Sequence, residues 1–286
     1  MTTLVAARTA PKVTGVPTSG LFLLVGDTKS GKTTLAASFP ASYVIEFEHK
    51  RGDRLAFGRI DDLVERYNEL VENMPESERP NREGWLLDTF GEVLMAAIED
   101  PTVKTIVIDS VDELQKLIGS SIAQEAGVEF IGQPKKDVDS RALWGEYLQR
   151  ISGMADMLKE CGKLVIIVAH RRPAELDKDG HVTKPAGINV SGKGGDYLAK
   201  HAEIIGFMDV RNMGGVSKFY LTFKGESQRA IWRSGVEELQ DKEIVISKAD
   251  PHGSFAAAFN KKAEAPAPKL VPAKTPARSN GSSRRR

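Results

Sequence analysis

The sequence predicts an α/β fold: a mostly parallel twisted sheet flanked by helices, with antiparallel strands at its C-terminal edge. Three observations lead there. From Gly20 onward, short aliphatic runs alternate with amphipathic helical stretches, a pattern that buries strands on both faces and pairs them in parallel. A glycine-rich turn joins the first run to the first helix. The last runs, Ile204–Val210, Lys218–Phe223 and Arg229–Trp232, are joined by short Gly-bearing connections, which suit antiparallel pairing.

Leu21–Val25 reads as the first strand, and Lys32–Phe39 as a helix stopped by Pro40. Tyr43–Phe47 is a second strand. Ile60–Asn73 has helical spacing through Leu63, Tyr67, Leu70 and Val71, and a second helix runs from about Trp85 to Ile98. Thr105–Ile108 is a β-branched strand that ends at Asp109. Leu143–Leu158 places Leu143, Tyr147, Ile151, Met154, Ala155 and Leu158 on one helical face, and Lys163–Ala169 is a buried-type strand.

Charge divides the chain. Of 286 residues, 40 are Lys or Arg and 39 Asp or Glu, for a net of +1. Residues 261–286 carry eight bases and one acid, leaving the preceding 260 residues at −6. That Pro/Ala/Ser-rich tail has too little apolar surface to offset its ordering entropy and is expected to be disordered. It can hold nucleic acid loosely through phosphate contacts, or serve only as a solubilising extension. Residues 1–18, broken by Pro11, Gly15 and Pro17, are expected to form a flexible arm. The expected organisation is therefore an arm at 1–18, a folded domain at 19–255 and a tail at 256–286. Cys161 is the single cysteine, which excludes a disulfide framework and a multi-cysteine zinc site and suits the cytoplasm. No apolar run is long enough to span a bilayer.

The chemistry starts at Gly26-Asp27-Thr28-Lys29-Ser30-Gly31-Lys32-Thr33, a full G-x-x-x-x-G-K-[ST] match between a strand and a helix. Two glycines allow the backbone N–H groups to turn inward around phosphates, and the helix N-terminus adds partial positive charge. The loop through Thr34 is the expected ATP phosphate cradle, with Lys32 on the β/γ-phosphates and Thr33 on Mg²⁺. Asp109, at the end of Thr105-Ile106-Val107-Ile108, is the expected carboxylate for the Mg²⁺ shell. Hydrolysis also needs a base for water. The position after Asp109 is Ser110, so the base must come from elsewhere, and Glu46 and Glu48 are the strand-end candidates. Asp112 and Glu113, one turn past the strand, read as helix N-terminal charges. His181, His201 and His252 show no metal-ligand spacing, and Cys161 reads as inert core.

Several strings resemble RecA-type recombinases. Ile45-Glu46-Phe47-Glu48-His49 is similar to the segment that carries their catalytic glutamate, and Ile108-Asp109-Ser110-Val111 to their Walker B continuation. Val168-Ala169-His170-Arg171-Arg172 sits where these ATPases end a strand in a γ-phosphate sensor. Gly194–Lys200 and Ile205–Arg211 resemble the chain leaving their second DNA-binding loop. Residues 19–235 resemble the compact RecA-like ATPases of phages that act in single-strand annealing and recombination. The resemblance implies a RecA-like P-loop NTPase fold and an ATPase that binds single-stranded DNA under ATP control, in the cytoplasm of the host cell if phage-encoded. It implies that Glu48 deprotonates water and that His170 contacts the γ-phosphate.

The segment from Arg171 to about Gly195 would then be a DNA loop, long and without structure of its own. It carries Arg171, Arg172, Lys178, Lys184 and Lys193, which can follow a single-strand backbone; a plain surface insertion has the same composition. A first DNA loop is expected near Ile131–Ser140. The resemblance further implies a homo-oligomer, ring or short filament, in which a neighbour supplies a cation from Lys224 or Arg229. Nothing in the chain matches the C-terminal duplex-binding domain of bacterial RecA, so annealing or loading beside a single-strand-binding protein is expected rather than full strand exchange. Two other classes remain open: a hexameric replicative-helicase-type motor and a regulatory nucleotide-binding protein without DNA contact. A small-molecule kinase would need a lid with an Arg cluster, and none is visible.

Overall fold

The computed structural model describes residues 15–48, 58–225 and 230–260. In chain order the elements are β1 (Gly20–Gly26), α1 (Lys32–Ala37), β2 (Ser42–Glu46), β3 (Gly58–Arg59), α2 (Ile60–Val71), α3 (Arg82–Glu99), β4 (Thr105–Asp109) and α4 (Val111–Glu125). There follow α5 (Ser140–Glu160), β5 (Leu164–Arg172), β6 (Glu175–Leu176), β7 (Val182–Lys184), β8 (Gly187–Ile188) and α6 (Gly194–His201). The chain closes with β9 (Ile204–Met213), β10 (Val216–Thr222), β11 (Arg233–Ser234), β12 (Glu243–Ile246) and α7 (Pro251–Asn260).

The main sheet runs β12-β10-β9-β1-β5-β4-β2-β3, with β11 beside β9 and β8 beside β5. Strands β9, β1, β5, β4, β2 and β3 are mutually parallel, and β10 and β12 add an antiparallel edge. This is the α/β architecture the alternation predicts. One strand, β5, is inserted between β1 and β4, in register from Gly20↔Leu164 to Gly26↔His170 on one side and from Thr105↔Leu164 to Asp109↔Val168 on the other. The carboxyl ends of β1, β5, β4 and β2 therefore finish side by side.

The strands read as continuous apolar runs because alternate residues face two cores. Leu21, Leu23, Ile106, Ile108, Val165 and Ile167 pack toward α3, α4, α5 and α6. Phe22, Leu24, Val107, Ile166 and Val168 pack toward α1 and α7. Phe22 gathers an aromatic cluster on that second face, with Phe39, Phe223 and Phe255 at ring-centroid distances of 6.4, 6.5 and 5.9 Å.

Four features differ from the sequence expectation. The strand expected at Arg229–Trp232 is absent over its described residues: Ala230 makes only an isolated bridge to Ala186, and β11 starts at Arg233. Trp232 is buried without being in a strand, stacked on Phe207 at 4.9 Å and 13°. Helix α1 ends at Ala37, two residues early, with Ser38 as its C-cap. Helix α4 has the N-terminal charges Asp112 and Glu113 that the sequence suggests, but its length to Glu125, with Val111, Leu114, Ile118 and Ile122 buried at helical spacing, was not read from the sequence. Helix α7 crosses residue 255, where the domain was expected to end, and its Phe255 is fully buried. The arm through residue 14 and the tail from residue 261 lie outside the described residues. No helix among the described residues is long and apolar enough to cross a membrane.

Candidate nucleotide site

The site grows from the turn between β1 and α1. Lys29 and Gly31 take φ of +64° and +91°, the left-handed region in which glycine costs least. At Gly26 the restriction is space, since an added Cβ would lie 2.5 Å from Met208 O and 2.7 Å from Ser30 Oγ. The loop thus needs Gly26 for close packing and Gly31 for its turn.

Lys32 is buried at 6 % exposure and its Nζ donates to Gly26 O at 3.0 Å and Asp27 O at 2.9 Å. Burial lowers its pKa, opposed by the carboxylates of Asp109, Glu48, Asp112 and Asp27. Thr33 Oγ1 donates to Asp109 Oδ2 at 2.6 Å, tying α1 to the end of β4. Asp109 is 1 % exposed. Together these groups border a cavity of about 600 Å³ lined by Thr28 through Leu35, Glu48, Asp109 and His170.

Of the two glutamates open to choice, Glu46 is buried in β2 opposite Asp109, while Glu48 lies past the strand and lines the cavity. His170 ends the buried part of β5 at the same cavity. Its backbone N–H donates to Asp112 Oδ2 at 2.8 Å, and its Nδ1 lies 3.4 Å from the same oxygen. Asp112, read from the sequence as a helix-terminal charge, is thus also the group that holds the strand end carrying His170. Composition alone did not reveal that pairing.

The segment after His170 is not the structureless loop that was expected. β5 continues through Arg172, β6 and β7 form a hairpin, and β8 returns to pair with the end of β5. The chain acquires structure there because Asn189 N donates to His170 O and Gln115 Nε2 donates to Asn189 O, at 3.0 and 2.8 Å. Gln115 Oε1 accepts from Ser191 N and Tyr147 Oη, at 2.7 and 2.9 Å.

The basic residues named as DNA contacts are distributed unevenly. Arg171 turns back to the phosphate loop, with Nε donating to Asp27 Oδ1 at 3.1 Å and the guanidinium 5.4 Å over Phe207. Arg172 and Lys184 pair with Glu175 at 3.3 and 3.9 Å. Lys178 is exposed, and Lys193 is exposed as the N-cap of α6. Lys224 is exposed where the chain leaves β10 toward the amino ends of the parallel strands. Arg229 lies outside the described residues.

A phosphate and its metal ion fit these residues. The Gly26 cradle admits no side chain, Lys32 is the cation at its mouth, and Ser30 Oγ is buried without a hydrogen-bond partner among the described residues. Thr33 and Asp109 offer an oxygen pair suited to a hard divalent cation.

Comparisons with known proteins place the chain in a family. Among curated protein sequences, none matches. A solved structure similar to this chain is a KaiC-like protein from the hyperthermophilic archaeon Pyrococcus horikoshii, at 17 % identity over 81 % of this chain and 86 % of that one, with a TM-score of 0.40. The decisive match is to a family profile described as an AAA domain, over residues 21–231, most of the chain and the whole phosphate loop. The chain belongs to that AAA domain family and is an AAA-type P-loop ATPase.

Proposed function

We propose that this ATPase binds single-stranded DNA under the control of its bound nucleotide and acts in phage-type annealing or recombination. One observation carries the reading. A single strand, β5, reaches the nucleotide cavity with His170 and continues without a break through Arg171 and Arg172 into the hairpin, where Lys178 and Lys184 stand among Glu175, Asp177 and Asp179. A displacement at the phosphate end is therefore transmitted along a rigid element to residues that can meet a DNA backbone.

The residues divide the work. Backbone N–H groups of residues 27–33 and Lys32 bind the phosphates, and Thr33 and Asp109 hold the metal, which supplies charge neutralisation when bound. Glu48 accepts the proton of the attacking water. His170 contacts the terminal phosphate, with Asp112 fixing its strand end. A neighbouring copy contributes a cation from the Lys224 region, so the active form is a homo-oligomer, ring or short filament. A single-strand-binding protein is the partner such an annealing reaction would meet on its substrate.

The test is the ATPase rate with and without single-stranded DNA for the intact chain, Lys32→Ala and Glu48→Gln. DNA should stimulate the intact chain, and both variants should abolish the stimulated rate. An ATPase indifferent to DNA, with no DNA binding at low salt, replaces this reading with a regulatory nucleotide-binding protein. Directional unwinding of a forked duplex replaces it with a hexameric motor.

A further inference from the structure

The cavity extends beyond what phosphates and a metal require. At one end stand Glu48, Asp109 and His170; at the other it is lined by Met208, Phe219, Ile246, Ser247, Lys248 and Pro251. These residues come from the antiparallel edge and the chain after it. Phe219 on β10 lies directly opposite Ile246 on β12, so the two side chains stand together on one face of the sheet. That face abuts the phosphate loop: a Cβ at Gly31 would lie 3.1 Å from Phe219 Cδ1 and 3.5 Å from Met208 Cε. Pro251 opens α7 and completes the apolar wall. Lys248 Nζ stands 5.0 Å over the centre of the Phe219 ring, a cation on an aromatic face.

Phosphates have no use for an aromatic ring and two aliphatic neighbours. A flat heterocycle does: it stacks on a ring face and meets a donor at its edge. We infer that Phe219, flanked by Ile246 and Pro251, is the stacking surface for the nucleobase of the bound nucleoside triphosphate. This rests on the reading of residues 26–34 as the phosphate site. Only β9 separates the antiparallel edge from β1, which brings β10 within reach of the phosphate loop.

Calorimetric titration of the full chain with Mg²⁺–ATP and with Mg²⁺–tripolyphosphate tests the inference, because tripolyphosphate keeps the phosphates and lacks the base. Phe219→Ala should weaken ATP by about tenfold or more and leave tripolyphosphate within about twofold. Phe219→Trp should keep ATP affinity, and Phe219→Leu, which preserves apolar bulk in case the alanine variant fails to fold, should lose it. Unchanged ATP affinity in Phe219→Leu overturns the inference. Equal loss of both ligands also overturns it, since Phe219 would then be a prop for Gly31. If the wild type binds neither ligand, the phosphate-site reading itself fails and takes the inference with it.

Discussion

The strand ends around Lys32 and the hairpin that leaves β5 carry their charges in opposite ways. Lys32 and Asp109 are buried, and each is held by a partner from another element or from the phosphate loop itself. Arg172 and Lys184 are half-buried and share one carboxylate, Glu175, which is itself 61 % exposed. Surface pairs of that kind contribute about 0–1 kcal/mol, so a passing phosphate can replace Glu175 at little cost. A buried group has no such exchange available. The comparison teaches that the first region is built for fixed geometry and the second for reversible contact.

Changes at the buried end should have the largest effects. Lys32→Ala and Glu48→Gln should each lower ATP turnover by about 10²–10³-fold. They separate in binding, since Lys32→Ala loses affinity for ATP while Glu48→Gln retains it; equilibrium titration beside steady-state rates reads both. Equal loss of affinity in the two would place Glu48 in binding rather than in proton transfer.

The next largest effect concerns Tyr147, whose hydroxyl donates to Gln115 beside the returning foot of the hairpin. Burial pushes its pKa up from 10.0 to about 12. The unfolded chain gives up this proton first, so the stabilisation is complete below about pH 10 and is lost as pH rises toward 12. The shift corresponds to at most about 3 kcal/mol. Urea unfolding of wild type and Tyr147→Phe across that range should show the wild type losing stability more steeply.

Gln115→Leu tests the same anchor without titration. It strips partners from Asn189 O, Ser191 N and Tyr147 Oη. Stability should fall by about 1–3 kcal/mol in chemical denaturation, and cleavage of the hairpin by protease should accelerate. The smallest effects belong to the exposed region. Arg172→Ala and Lys184→Ala should each reduce the slope of log affinity for single-stranded DNA against log salt by about 0.7. Glu175→Gln should strengthen binding severalfold by removing the competing carboxylate. Unchanged slopes in both variants would detach the hairpin from DNA and leave the tail as the remaining basic element.

Much of this was legible along the chain. The alternating runs announced the parallel sheet, and the phosphate loop and Asp109 declared themselves by local pattern and strand-end position. Three kinds of feature were not legible. Helix α4 announces its start through Asp112 and Glu113, but its length shows only in the buried spacing of Val111, Leu114, Ile118 and Ile122. The hairpin after β5 was read as a loop because its strands are two or three residues long, and the chain returning from it is held at Asn189 and Ser191 by Gln115 from α4. Phe219 and Ile246 look like any alternating strand residues, and nothing nearby marks them as neighbours of Gly31.

What the sequence determined by itself was the phosphate-binding turn. Its two glycines, lysine and threonine act within eight consecutive residues, where local torsion and donor chemistry suffice. What only the tertiary structure decided was the company that turn keeps: Asp109 on Thr33, His170 on the inserted strand, Asp27 paired with Arg171, and the aromatic edge beside Gly31. Those depend on strand order, which is set by the packing of two cores against one sheet. No local period along the chain encodes it.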